Sequence, residues 1–139
     1  EVMRRISNMK FDYSVNTILS KEDIFAIRDE INQVSISESI EKYIIELVYA
    51  TREPAKYGVE EMAEYISFGA SPRASINLNL ASKAIAYFSG RDYVLPEDVK
   101  EVAHDVLNHR ILLNYEAEAD NVTTHHIIDA ILTKVPINN

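Results

Sequence analysis

The sequence predicts an all-α protein, a compact bundle of four to five main helices. Five segments place apolar residues at the spacing of a helix face, and none sustains the alternation of apolar and polar residues typical of a half-buried strand. Only 3 glycines and 4 prolines occur among the 139 residues, too few for a β architecture rich in tight turns. A chain of this length suits one domain whose core needs no metal or disulfide.

Each of the first two predicted helices begins after a serine. Ser20 precedes the first, and Asp23 lies three residues further on, a capping-box pattern with aspartate in place of glutamate. The apolar face of this helix consists of Ile24, Ile27, Ile31 and Val34. Ser37 precedes the second helix, which should end near Arg52–Pro54 because a residue before proline disfavours the α conformation. Its core-facing stripe consists of Ile40, Tyr43, Ile44, Leu47 and Val48.

A long connection, residues 53–70, leads to the third helix, and such long connections are often functional. A short helix from Val59 to Ile66 is predicted within it. The third main helix has the clearest start, because Ser71 offers a capping oxygen and Pro72 occupies the first helical position. Gly90 should end this helix in a left-handed conformation. Its apolar stripe consists of Ala74, Leu78, Ala81, Ile85 and Phe88.

The last two main helices also carry start signals. Pro96 begins the fourth helix and is followed by two acidic residues, which suit the positive end of the helix dipole. The fifth begins near Thr123 and ends before Pro136. The core faces consist of Val99, Val102, Ala103, Val106 and Leu107 in the fourth helix and Ile127, Ile128, Ile131 and Leu132 in the fifth.

Composition and charge exclude several classes of function. The 14 lysines and arginines against 22 aspartates and glutamates give a net charge of −8, which disfavours nucleic acid and an anionic membrane as partners. Without cysteine the chain has no disulfide, thiolate metal ligand or cysteine nucleophile. No apolar run approaches the roughly 18 residues of a membrane span. The chain begins with Glu1 rather than methionine, so we expect it to be a fragment of a longer protein.

Neither a phosphate-binding loop nor a metal site is evident in the sequence. No G-x-x-x-x-G-K-[S/T] segment occurs, so the chain cannot cradle a nucleoside triphosphate by itself. His104 and His109 are five residues apart and would point about 140° from each other on a helix. His125 and His126 are adjacent and also diverge. We therefore expect no metal, and the serines suggest no nucleophilic triad.

The informative segment is Gly69-Ala70-Ser71-Pro72-Arg73-Ala74. It places an arginine in the first turn of a helix, where free backbone N–H groups favour anions and a guanidinium adds a two-pronged phosphate contact. A cation is locally unfavourable at this end of the helix dipole, and a residue that breaks a local rule is a functional candidate. The residues alone leave two interpretations open: Arg73 binds a phosphate, or it is an exposed arginine beside an acidic neighbour.

This segment and the later Gly90-Arg91-Asp92-Tyr93-Val94-Leu95-Pro96-Glu97-Asp98-Val99 resemble the C-terminal lid domain of MoxR-family AAA+ ATPases, often labelled methanol dehydrogenase regulatory proteins. Supporting matches are Ala50-Thr51-Arg52, Val106-Leu107-Asn108-His109-Arg110 and Ile131-Leu132-Thr133-Lys134-Val135-Pro136. The resemblance spans about residues 20–136, nearly the whole chain. Similar lids occur in relatives of the magnesium-chelatase type.

The resemblance implies a parent protein in which a P-loop core is followed by this lid. Residues 1–20 would be the tail of the core or a linker, and residues 21–139 the lid. Arg73 occupies the position of the sensor-2 arginine, which reaches the γ-phosphate of ATP, and Ser71 would cap the helix that carries it. The Walker motifs, sensor 1 and the arginine finger would lie upstream of Glu1. ATP and Mg²⁺ would therefore bind the full-length parent, and we expect neither on this fragment.

The resemblance also implies partners and a location. The partners are the P-loop core of the same chain, neighbouring subunits of a ring oligomer, and proteins with von Willebrand factor A domains, all in the cytoplasm. Arg52, Arg91 and Arg110 recur in the resembling motifs, and we expect each of them to buttress a helix end.

The predicted function is a nucleotide-sensing lid that couples ATP hydrolysis in the absent core to remodelling of a partner protein. The fragment itself should have no activity. The alternative is a helical protein-interaction module that does not depend on nucleotide, and a P-loop encoded immediately upstream would favour the first function. A third class, DNA binding by a helix-turn-helix formed from the third and fourth helices, is disfavoured by the net charge.

Overall fold

The computed structural model describes residues 16–137. Within these residues the chain forms six α-helices, two short 3₁₀ helices and two short strands, which confirms the prediction of a mostly helical bundle. The expected core tail or linker, residues 1–20, lies outside the described residues except for residues 16–20.

Helix α1 (Lys21–Gln33) has the predicted capping box but not the predicted burial. The Ser20 hydroxyl accepts a hydrogen bond from the Asp23 amide at 3.1 Å, and the Asp23 carboxylate accepts one from the Ser20 amide at 2.7 Å. No residue of the helix is buried, and Ile24 is 45% exposed. The predicted apolar face reaches the core only at Val34, because periodicity shows which residues share a face and not whether another element covers it.

Three helices supply most of the core: α2 (Glu38–Ala50), α4 (Pro96–Leu107) and α6 (Thr124–Lys134). Their predicted core residues that are buried are Ile40, Tyr43, Ile44, Leu47, Val48, Val99, Val102, Ala103, Leu107, Ile127, Ile128 and Ile131. Val106 and Leu132 are half-buried at the edge of this core. The capping residues Ser37 and Thr123 accept hydrogen bonds from the first turns of α2 and α6.

Helix α3 (Arg73–Phe88) packs against α4 and carries the arginine singled out above. Its buried residues are Ala74, Leu78, Ser82 and Ala86, three of them small enough to let α4 approach closely. Gly90 has φ 73° and ends the helix in the left-handed conformation, as predicted. Phe88, the last residue of the predicted apolar stripe, is 74% exposed, so the stripe does not reach the core there. It is the last residue of the helix, and its ring lies edge-on to Tyr87 rather than beneath another element.

The long connection between α2 and α3 contains more structure than predicted. Two 3₁₀ helices, Pro54–Tyr57 and Glu60–Tyr65, lead into strand β1 (Ile66–Phe68), which pairs antiparallel with strand β2 (Leu112–Leu113). Helix α5 (Tyr115–Ala119) follows β2. The expected short helix from Val59 to Ile66 is therefore a 3₁₀ helix that gives way to a strand. Strands of two and three residues are too short to show an alternating pattern.

Candidate functional site

The start of helix α3 is built by backbone groups and not by the predicted Ser71 cap. Pro72 occupies the N-cap position with φ −54° and ψ −22°, and it makes no side-chain capping bond within the described chain. The Ser71 carbonyl accepts a hydrogen bond from the Ala74 amide at 2.8 Å. The Pro72 carbonyl accepts one from the Ser75 amide at 3.1 Å and one from the Ser75 hydroxyl at 2.6 Å. Because Pro72 already has helical angles, Ser71 begins the helix through its carbonyl, and its expected role as a side-chain cap is wrong.

Arg73 is the first residue of α3, and its side chain is exposed. Among residues 16–137 no carboxylate forms an ion pair with it, and the ion pairs that are formed involve other cations. The interpretation of Arg73 as an arginine beside an acidic neighbour thus finds no such neighbour in the described residues. Within residues 16–137 its guanidinium makes no ion pair, so its N–H donors can serve an external anion.

An exposed apolar surface adjoins Arg73. Ile76 and Leu80 lie three and seven residues after Arg73, on the same side of α3, and are 61% and 49% exposed. Across a cleft of about 300 Å³, Ile45 of α2 is 48% exposed, and Tyr49 one turn later is 52% exposed. We call the surface formed by Ile45, Tyr49, Arg73, Ile76 and Leu80 the Arg73 face. Exposed apolar patches of more than about a few hundred Å² mark interaction sites, and the Arg73 face is a candidate for one.

The loop before α3 is held by the end of α2. The Thr51 hydroxyl accepts a hydrogen bond from the Ala70 amide at 2.9 Å, and Arg52 Nη1 donates one to the Ala70 carbonyl at 3.3 Å. Arg52 therefore supports the approach to a helix start, as expected of it. Thr51 lies in one of the resembling motifs, but its role was not predicted, because nothing in the local pattern indicates that its hydroxyl meets a residue 19 positions away.

The other two recurring arginines differ in their contacts. Arg91 makes a two-pronged contact with Asp98, and the same carboxylate accepts a hydrogen bond from the Leu95 amide at the start of α4. This agrees with the expected buttressing role. Arg110 is half-buried, and its Nε has no hydrogen-bond partner in the described chain.

Two of the histidines, His104 and His125, connect α4 with α6. His104 Nε2 of α4 lies 2.9 Å from the Asp129 carboxylate of α6, and the His104 ring stacks on His125 at 4.5 Å. His126 Nδ1 accepts a hydrogen bond from the Thr123 amide at 3.1 Å. Residues 16–137 contain no group of three or more histidine, aspartate or glutamate side chains that could hold a metal ion. No helix in this range is long and apolar enough to cross a membrane.

Comparison with known proteins gives one consistent result. A family model described as the AAA lid domain matches residues 60–131. The chain is 37% identical over 120 residues to Chaperone MoxR1 of Mycobacterium tuberculosis, a match that covers 86% of this chain and 32% of that protein. It is 35% identical over 107 residues to Protein MoxR of Paracoccus denitrificans, covering 73% of this chain and 31% of the relative. The chain thus spans about a third of the length of these curated relatives.

A solved structure is similar over almost the whole chain. The crystal structure of a candidate ATPase from Cytophaga hutchinsonii superposes with a TM-score of 0.90 at 64% sequence identity. The match covers 99% of this chain and 42% of that protein.

Proposed function

Because this chain belongs to the AAA lid domain family of MoxR-type AAA+ ATPases, we propose that Arg73 senses ATP bound to a P-loop core in the same longer protein. In this role the lid couples hydrolysis in the core to remodelling of a partner protein. The curated relatives are about three times as long as the matched region, which leaves ample length for such a core.

The observation that carries the proposal is the exposure of Arg73 at a helix start without a carboxylate partner among residues 16–137. A guanidinium and the positive end of a helix dipole repel each other locally, and an anion placed between them relieves both. The planar fork of five N–H donors fits the oxygens of a phosphate. The Arg73 guanidinium at this helix start is therefore suited to bind a γ-phosphate that is held by another domain.

The apolar part of the Arg73 face supports docking onto the core. Ile45 and Leu80 are about half exposed and Ile76 is 61% exposed. Ile76 and Leu80 lie on the side of α3 that carries Arg73, and Ile45 faces them across the cleft. Burying such residues is favourable by about 25 cal/mol for each Å² removed from water. A core that covered these side chains would thus bind the lid and direct Arg73 toward the bound nucleotide in the same step.

The mechanism follows from where charge develops. ATP with Mg²⁺, held by the core, would supply the γ-phosphoryl group, which hydrolysis transfers to water with ADP as the leaving group. Arg73 offsets the negative charge that grows on that group in the transition state and holds the lid against the core. When phosphate leaves, Arg73 loses this contact and the lid rotates as a rigid body. Neighbouring subunits of a cytoplasmic ring, and proteins with von Willebrand factor A domains, are the partners that we propose for this motion.

The test is the variant Arg73→Ala in the full-length parent. Loss of a charge-assisted hydrogen bond should lower ATP hydrolysis or ATP affinity by roughly ten- to a hundredfold. Arg73→Lys keeps the charge without the fork and should recover part of the loss. Lys100→Ala removes an exposed cation of α4 and serves as the control, which should match wild type. Wild-type hydrolysis by Arg73→Ala would refute the sensor role.

A second candidate function is a protein-interaction module that does not depend on nucleotide, and the exposed apolar side chains favour it. In that case Ile76→Ser should weaken partner binding, while Arg73→Ala leaves ATP hydrolysis unchanged. A loss of hydrolysis on substitution of Arg73 favours the nucleotide-sensing lid.

A further inference from the structure

Thr51 is a fully buried polar residue whose hydroxyl both donates and accepts a hydrogen bond. It lies at the end of α2, with 0% of its surface exposed, and its hydroxyl donates to the Val48 carbonyl at 2.6 Å. The same oxygen accepts the hydrogen bond from the Ala70 amide at 2.9 Å. The hydroxyl is thereby fixed by its own helix before it meets the loop, so it can define the position of that loop.

The loop is in close contact with α2 on both sides of this hydrogen bond. A Cβ added to Gly69 would lie 2.3 Å from the Thr51 carbonyl oxygen, so only glycine permits the approach. Arg52 Nη1 donates to the Ala70 carbonyl at 3.3 Å. Both polar backbone groups of Ala70 are therefore held by the two residues that follow α2, Thr51 and Arg52, and Ala70 itself is fully buried.

The segment from Ala70 to Arg73 has little freedom to move relative to Thr51 and Arg52. Pro72 fixes one backbone torsion, and the first hydrogen bonds of α3 begin at the Ser71 and Pro72 carbonyls. Ala74, immediately after Arg73, is fully buried. A shift of the loop at Ala70 would therefore move the first turn of α3, and the guanidinium would move with it.

We propose that Thr51 is a positioning residue for Arg73: its buried hydroxyl fixes the Gly69–Ala70 backbone and so sets where the guanidinium meets the nucleotide. This inference rests on the proposed sensor role of Arg73. Small misplacements of a group that stabilises a transition state reduce rates strongly, by up to about a hundredfold for 1 Å.

The experiment is a double-mutant cycle in the full-length parent, with steady-state ATP hydrolysis as the measurement. Thr51→Val removes the hydroxyl and keeps the shape of the side chain, and it should lower kcat/KM for ATP by roughly five- to fiftyfold. Its changes in kcat and KM should follow the pattern of Arg73→Ala, whereas partial unfolding would lower the apparent kcat alone. Thr51→Ser retains the hydroxyl and should recover most of the activity.

The energetic coupling between the Thr51 and Arg73 substitutions decides whether Thr51 positions Arg73. In the Arg73→Ala background, Thr51→Val should cause no further loss, because the residue it positions is gone. Full additivity of the two losses would overturn the positioning role and leave the sensor role of Arg73 standing. If Arg73→Ala alone were as active as wild type, the sensor role would fail, and the inference with it.

Two further variants guard against simple destabilisation. Thr133→Val removes an exposed hydroxyl of α6 that donates to the Asp129 carbonyl at 2.8 Å, and it should leave hydrolysis unchanged. Should Thr51→Val fail to fold, Arg52→Met removes only the hydrogen bond from Arg52 to the Ala70 carbonyl and leaves the buried Thr51 hydroxyl in place. It should give a two- to tenfold loss that also disappears without Arg73. A loss that persists in the Arg73→Ala background would contradict the proposal.

Discussion

The Arg91 guanidinium donates two hydrogen bonds to the Asp98 carboxylate, at 2.7 Å from Nη1 to Oδ2 and 2.5 Å from Nη2 to Oδ1. The Leu95 amide donates a third to the same carboxylate at 2.7 Å. Only 4% of the Asp98 side chain is exposed. These contacts fix the turn between α3 and α4, which pack against each other, and they give a structural reason for an arginine and an aspartate at these positions of the motif.

Asp98→Asn should destabilise the fold. The change removes a charge from a buried, two-pronged pair and weakens the acceptor that serves the Leu95 amide, so Arg91 is left without its counterion. We expect the melting temperature to fall by about 5–10 °C. Thermal unfolding followed by circular dichroism measures the shift. Lys56→Ala, which breaks an exposed ion pair with Glu53, should change it far less, and equal shifts in the two variants would contradict the assignment.

The same pair predicts a loss of stability in acid. The hydrogen bonds from Arg91 hold the pKa of Asp98 below its ordinary value, and burial acts in the opposite direction. Because the unfolded chain takes up this proton at a higher pH than the folded chain, the stabilisation is complete above the ordinary pKa and declines as the pH falls through it. Urea midpoints measured between about pH 6 and pH 3 should fall in the wild type and fall less in Asp98→Asn. Parallel pH profiles would show that Asp98 does not contribute.

Gly69→Ala should disturb the loop that precedes Arg73. The added methyl group would lie 2.3 Å from the Thr51 carbonyl oxygen, which is backbone and cannot rotate away. We expect a loss of about 1–3 kcal/mol in the free energy of unfolding and, in the full-length parent, reduced ATP hydrolysis. Gly58→Ala is the matched control: Gly58 has φ 70° and open space around it, so strain lowers stability without moving Arg73. Unchanged hydrolysis in Gly69→Ala would count against a rigid link from the loop to Arg73.

The helices that could be predicted are those whose local signals agree with their packing. In α2, α4 and α6 the periodic apolar residues and the starts near Ser37, Pro96 and Thr123 all appear in the structure. Helix α1 has equally good periodicity, but Ile24 and Phe25 remain about half exposed at 45% and 48%. A pattern within one helix carries no information on its neighbours.

The sequence predicted the arginine of the candidate site but not the residues that hold the preceding loop in place. The dipeptide Pro72-Arg73 placed an arginine at a helix start, which the structure has, although Ser71 acts through its carbonyl instead of its hydroxyl. The hydrogen bond from Ala70 to Thr51 joins residues 19 positions apart, so it depends on how α2 and α3 pack. Contacts of this kind follow from tertiary structure, and no local sequence rule indicates them.

Tyr43→Phe should leave the fold as stable as wild type or slightly more so. The Tyr43 side chain is 1% exposed, and its hydroxyl has no hydrogen-bond partner among residues 16–137. Burial, with a smaller contribution from the Glu97 carboxylate, raises the pKa of this phenol, so it remains neutral at ordinary pH. Because an unsatisfied buried hydroxyl costs free energy, its removal should change the free energy of unfolding by less than about 0.5 kcal/mol or increase it.

Tyr65→Phe is the control, since it removes a hydroxyl that donates to Asp120 at 3.1 Å and should therefore lower stability. Urea unfolding of both variants separates these outcomes, and a clear loss of stability in Tyr43→Phe would reveal a partner for its hydroxyl.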